Sequence, residues 1–204
     1  MSKRKRRKHK SEEEMPQIFE YTLIVAGVSE LTAALEDSLF EAGCDDALLG
    51  KRNGAIYLDF TREAASFSEA ILTSIKQIEH CGVGLTVVGI EPSPYVTQSE
   101  IARRLDTSRE SIRLLAEGQR HQGLFPPPQS AVKTQSPLWN WAMLLAQVEE
   151  LMDVNMETCE QASALLDIYL ALEIRQNKAR MPNVQMILNS IGADVALPDI
   201  KLDT

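Results

Sequence analysis

TQSEIARRLDTSRESIRLL, residues Thr97 to Leu115, reads as two short helices joined by a tight turn. Thr97-x-x-Glu100 and Thr107-x-x-Glu110 are both capping boxes, in which the threonine hydroxyl satisfies an orphan backbone N–H. Helix starts ten residues apart leave room for a first helix of about two turns. Ile101, Ala102 and Leu105 fall on its inner face, and Ile112 and Leu115 on the inner face of the second. The small Ala102 lets the two helices cross closely. Asp106 holds the turn, because aspartate tolerates the left-handed backbone better than most residues.

With those positions buried, Ser108, Arg109, Arg113, Glu117 and Arg120 fall on the free side of the second helix and its exit. That is the layout of a helix-turn-helix that reads double-stranded DNA. A helix fits the major groove, and arginine pairs with guanine through two hydrogen bonds. The expectation puts Arg109 and Arg113 on bases, and Arg103, Arg104 and Arg120 on phosphates. Ser108, at the helix N-terminus, suits a phosphate or a base edge. The alternative is that the arginines only solvate an outer face.

The chain continues Gln119-Arg120-His121-Gln122-Gly123-Leu124-Phe125-Pro126-Pro127-Pro128, then a polar stretch, then Leu138-Trp139-Asn140-Trp141. This resembles the winged helix-turn-helix of phage excisionases and MerR-type regulators, where a Gly-Phe-Pro segment ends the recognition helix, a hairpin wing follows, and a Trp-bearing segment begins the next helix. The chain is also similar, best over residues 18–145, to bacterial helix-turn-helix DNA-binding proteins that join an α/β N-terminal domain to such a module. The resemblance implies a winged helix-turn-helix domain over 95–148 and DNA binding. The sequence departs from the pattern in the wing, where Lys133 is the sole cation, and at Asn140, where arginine is more usual. Trp139 and Trp141 read as core anchors, and His121 as an exposed loop residue.

Charge is distributed unevenly over the 204 residues, whose net charge is -8. Lys3, Arg4, Lys5, Arg6, Arg7, Lys8 and Lys10 crowd the first ten residues. Residues 1–15 read as a disordered basic arm, suited to phosphates or a minor groove. Residues 95–136 form a second basic island, with six cations against four acids; the segments around it are acidic. The three cysteines are far apart and fit no metal or disulfide framework. No apolar run approaches the roughly 18 residues of a membrane span, and no secretory signal follows the basic start. A cytoplasmic protein without cofactor, metal or membrane partner is expected.

Upstream, residues 16–92 read as strand, helix, strand, strand, helix, strand. Ile18–Val28 is β-branched and aromatic. Ser29 is placed to cap a helix carrying Leu31, Leu35 and Leu39. Asn53-Gly54 joins two strands as a type I′ hairpin. Ser66-x-x-Glu69 caps a helix with Ile71, Ile75 and Ile78 on one face, and Gly84–Ile90 is the fourth strand. The order βαββαβ predicts a ferredoxin-like α+β domain. It lacks the basic-aromatic pattern of an RNA-binding strand. Asp45, Asp46 and Asp59 read as turn and strand-edge residues, and no nucleophile–base pair is evident, so no enzyme is expected. Pro92 and Pro94 read as a linker.

Downstream, Met156–Gln176 reads as a long helix, with Ala162, Leu165, Leu166, Tyr169 and Leu172 on one side. Pro182 interrupts it, and Val184, Ile187, Leu188 and Ile191 form a short helix stopped by Gly192. Residues 149–192 are a candidate dimerisation unit, or pack on the winged domain, and 193–204 a tail. The function expected is sequence-specific DNA binding as a homodimeric transcriptional regulator. The alternative is an antitoxin-like interaction module whose N-terminal domain holds a protein partner while the helix-turn-helix autoregulates.

Overall fold

A computed structural model describes residues 16–120 and 125–192. The basic arm, His121 and the tail from 193 onward lie outside the described residues. The fold is α+β, with a four-stranded antiparallel sheet and seven α-helices. Strands β1 (Gln17–Ala26), β2 (Ala47–Arg52), β3 (Ala55–Ala64) and β4 (Thr86–Glu91) lie in the order β2-β3-β1-β4. Helices α1 (Ala33–Glu41) and α2 (Phe67–Glu79) connect them in the sequence βαββαβ.

Alternation decides which face is buried. Phe19, Tyr21, Leu23 and Val25 of β1 point the same way as Ile56, Leu58 and Phe60 of β3, with Leu23 opposite Leu58. Against that face α2 lays Ala70, Ile71, Ile75 and Ile78. The buried Tyr21 hydroxyl donates to the Ala70 carbonyl at 2.9 Å and meets Ser74 Oγ, so it is satisfied within the core. Burial pushes this phenol up to about 12.

One position breaks the apolar alternation. Arg62 follows Phe60 on the buried face. Its Nε and Nη2 donate to Asp46, each at 2.7 Å, its Nη1 to Gln77 at 2.6 Å, and its Nη2 also to the Gly43 carbonyl at 2.9 Å. The guanidinium lies 4.8 Å from the Phe60 ring centroid. A buried charge is tolerated when it is paired and hydrogen-bonded, and here Asp46, at the start of β2, supplies the counter-charge.

The Asn53-Gly54 hairpin forms as expected, with φ of 52° and 84°. Helix α1 departs from expectation. Its cap is Thr32, whose hydroxyl accepts from Leu35 N, and Ser29 instead offers its carbonyl to Lys51. A sharp bend at Gly27 precedes it. Gly27 has a φ of +112°, and a Cβ there would stand 2.3 Å from the Gly84 carbonyl oxygen. That bend takes up the residues that would have formed the helix's first turn.

Pro92 and Pro94 do not form a free linker. The next residues make β5 (Tyr95–Val96), which pairs with β6 (Trp139–Asn140), while Trp141 N donates to the Pro94 carbonyl at 2.8 Å. Helices α3 (Gln98–Arg104), α4 (Arg109–Ala116) and α5 (Trp141–Met152) gather around this ribbon. Their second core holds Val96, Ile101, Ala102, Ile112, Leu115, Phe125, Trp139, Trp141, Leu144 and Leu145. Trp139 Nε1 donates to the Pro126 carbonyl at 2.9 Å, so both tryptophans are core anchors. Asn140 is the buried N-cap of α5, accepting from Met143 N at 3.1 Å.

Helix α6 (Met156–Gln176) belongs to both cores. Ala162 packs in the second, whereas Leu165, Ile168 and Leu172 pack in the first, beside α2 and β4. Ile168 is buried, whereas Leu166 and Tyr169 are half-buried. At the far end Arg175 Nη2 donates to the Val87 carbonyl and Gln176 Nε2 to the Val88 carbonyl at 2.6 Å, covering the free edge of β4. Covering an edge in this way removes a template for stray strand pairing. Helix α6 is therefore part of both cores. Pro182 also has another role than expected. Helix α6 has already ended at Asn177, a 3-10 turn spans Lys178–Arg180, and Pro182 sits in the first turn of α7 (Met181–Ser190), where its missing N–H costs nothing.

Candidate nucleic-acid interface

Helices α3 and α4 start where a hydroxyl can take an orphan amide. Thr97 Oγ1 accepts from Glu100 N at 3.3 Å, as expected. The second start is shifted by one residue. Ser108, not Thr107, caps α4, accepting from Ser111 N at 3.0 Å, and its hydroxyl also meets Ser111 Oγ at 2.9 Å. The turn between closes as Thr107 N donates to the Ala102 carbonyl at 2.9 Å, with Asp106 at φ 46°. Ile101, Ala102, Ile112 and Leu115 are all buried, so the helices meet through the faces expected of them.

The five arginines of this unit stand in different states. Arg104 faces inward: its side chain is only 13% exposed, bonded to Glu100 and the Ser93 carbonyl, with the guanidinium 5.3 Å from the Trp141 ring centroid. It is spent on holding α3 to the start of α5. Arg103 is outward, 71% exposed, and forks onto Glu100 at 2.7 and 3.2 Å. The two arginines, Arg103 foremost, hold the Glu100 carboxyl well below the usual range, at about 2.

Arg113 is clasped from both sides, by Glu110 one turn before it and Glu117 one turn after. Glu110, then Glu117, raise its pKa, and it in turn lowers that of Glu110. Arg109 and Arg120 are exposed, and neither side chain bonds to any described residue. The free positive charge of the α4 face thus comes chiefly from Arg109, in its first turn, while Arg120, just past its end, is near enough to Glu110 to help lower its pKa. The clasp is written in the sequence as i, i+3 and i, i+4 spacing of opposite charges.

After Pro128 the chain doubles back. Ser130 and Leu138 bridge as antiparallel partners, and Leu138 continues into β6, which pairs with β5. Ala131 takes φ 51° and Thr134 N donates to its carbonyl at 2.9 Å, forming the tip of a short hairpin. Lys133 is exposed on that tip. Lys3, Arg4, Lys5, Arg6 and Arg7 fall outside the described residues.

Among the described residues no three metal-ligating side chains gather, and no helix is long and apolar enough to cross a membrane. No protein-family model, curated protein or solved structure matched the chain.

Proposed function

We propose that this chain is a sequence-specific DNA-binding protein that acts as a homodimeric transcriptional regulator without enzymatic activity. In this reading α3, α4 and the Ser130–Leu138 hairpin are a winged helix-turn-helix, with α4 in the major groove. The βαββαβ half, with strand order β2-β3-β1-β4, is a ferredoxin-like regulatory domain. The observation that carries the reading is Arg109: exposed, without a partner among the described residues, and in the first turn of a short helix whose other face is buried. First-turn residues of such a helix meet base edges. Arg113 is the second base contact, released from Glu110 or Glu117 at a groove edge. Arg103, Arg120, Lys133 and the arm from Lys3 to Arg7 meet phosphates. Arg104, turned inward, is dropped from that set.

Selection of binding sites from random duplexes with the full chain tests this. Against the selected site R109A should lose roughly 1–3 kcal/mol and relax preference at one base pair. Equal affinity and equal preference in R109A would overturn the reading. Removing residues 1–10 should flatten the salt dependence of binding, because fewer counterions are released.

A partner-binding N-terminal domain is favoured by two residues on its open sheet face, Ile18 and Leu48, which are 69% and 71% exposed. In that second reading I18D and L48D abolish co-purification with a protein encoded beside the gene and leave DNA affinity unchanged.

A further inference from the structure

Helix α7 is at odds with its own chain. Its ten residues, MPNVQMILNS, include no charged side chain, and none of them is buried. Met186, Ile187 and the following Ile191 are all more than half exposed. Val184, Ile187, Leu188 and Ile191 recur at the spacing of a helix that lies in a groove, with Val184 and Leu188 half-buried and Ile187 and Ile191 open. A surface helix of a stable monomer carries charges on its outer face; this one has only amides and a hydroxyl besides its apolar residues.

The same chain holds a groove of matching character. Between α2 and α6 a depression of about 370 Å³ is floored by Leu72, Ile75, Ile168, Ala171 and Leu172. Leu72 is 48% exposed for want of a cover. Arg175, on the rim, is already engaged by Glu79 and the Val87 carbonyl, so this end asks for no counter-charge. The α6 wall runs from Ala164 to Arg175, about 16 Å at 1.5 Å per residue, and a ten-residue helix is about 15 Å long. The α6 wall agrees with the helix in length and the floor agrees with it in apolar character, while Asp167 places one carboxylate on the rim.

We propose that two copies of this chain exchange α7, each laying it in the α2–α6 groove of the other. Within one chain the 3-10 turn at Lys178–Arg180 leads α7 elsewhere, and no α7 residue lines the groove. Reciprocal exchange buries both surfaces twice about a two-fold axis and leaves neither open for further copies. The inference rests on the fold alone, independently of the DNA reading, although a two-fold dimer is what paired half-sites require.

Sedimentation of the full chain without DNA tests it, with L72D in the groove and I187D on the helix. Both residues are about half exposed in a single copy, and circular dichroism with a thermal melt checks that each variant folds. The expected result is a wild-type dimer, a monomer for each variant, and a dimer again in an equimolar mixture of the two. In the mixture the intact α7 of L72D meets the intact groove of I187D, restoring one of the two contacts. Four results overturn the proposal: a monomeric wild type; a dimer that L72D leaves intact; two monomeric variants that fail to complement; or an I187D chain whose melting falls without change of mass, which would mean that α7 folds onto its own groove.

Discussion

In the sheet core two ten-residue strands run side by side through nine paired positions, and alternate residues of each are sealed under α2. In the second core α3 and α4 are only seven and eight residues long, and the two strands beside them are two residues each. Helices that short are marginal by themselves. They are held by hydroxyl caps, by Trp139 and Trp141, and by the start of α6. The first core draws strength from long-range register. The second depends on a few anchors, each of which carries a large share. The surface proposed to read DNA lies on the second.

If the second core rests on few anchors, W139A should have the largest effect. It removes a fully buried ring and leaves the Pro126 carbonyl without its donor, for a loss of roughly 3–5 kcal/mol. Denaturation followed by Trp141 fluorescence and by far-ultraviolet dichroism should then show the helical core opening before the sheet. Coincident transitions would break the comparison, because the two halves would be one cooperative unit. On the sheet side, D46A strands the Arg62 guanidinium. Losing one partner of a buried pair costs about 3–5 kcal/mol, and the partial exposure of Asp46 puts the expectation at the lower end. D46N, which keeps an acceptor, should recover part of that in the same denaturation experiment.

A smaller effect is expected for S108A, about 1 kcal/mol for a lost cap, read as faster amide exchange in α4 with exchange in β1 and β3 unchanged. The smallest concerns Glu100. Its carboxyl ionises at about 2 when folded, against 4.5 ordinarily. The unfolded chain therefore binds the proton more tightly. The stabilisation is whole above about pH 4.5 and is lost as pH falls towards 2. E100Q should flatten that part of the melting-temperature profile, and an unchanged profile would remove Glu100 from the account of the second core.

Much of the local structure was legible. Asn53-Gly54, the Ser66 and Thr97 caps, the left-handed Asp106 and the full extent of α6 follow from side chains acting on their own backbone within four residues. What could not be read involves partners distant in sequence. The helix that begins after Thr32 rather than Ser29 follows a bend at Gly27, where the Gly84 carbonyl lies too close for any side chain. Arg62 sits on a period that calls for an apolar residue, and only Asp46, Gln77 and Gly43, brought together by folding, explain it. Arg104 and Arg103 are neighbours of one residue type, yet one faces Trp141 and the other solvent. Periodicity marks an apolar face and does not say what will lie against it, so the sequence alone leaves α6 open to a dimer interface or the winged domain and does not point to α2 and β4.

The placement of α6 has a consequence for how the chain can be divided. A fragment of residues 16–92 would carry the sheet without Leu165, Ile168 and Leu172, exposing the flank of α2 and the carbonyls of β4. A fragment starting at Tyr95 would keep α6 with three core residues bared. Neither half can be cut out and spliced elsewhere as a ready cassette. Only α3 to α5, inserted between β4 and α6, could be exchanged while leaving the sheet core with its cover.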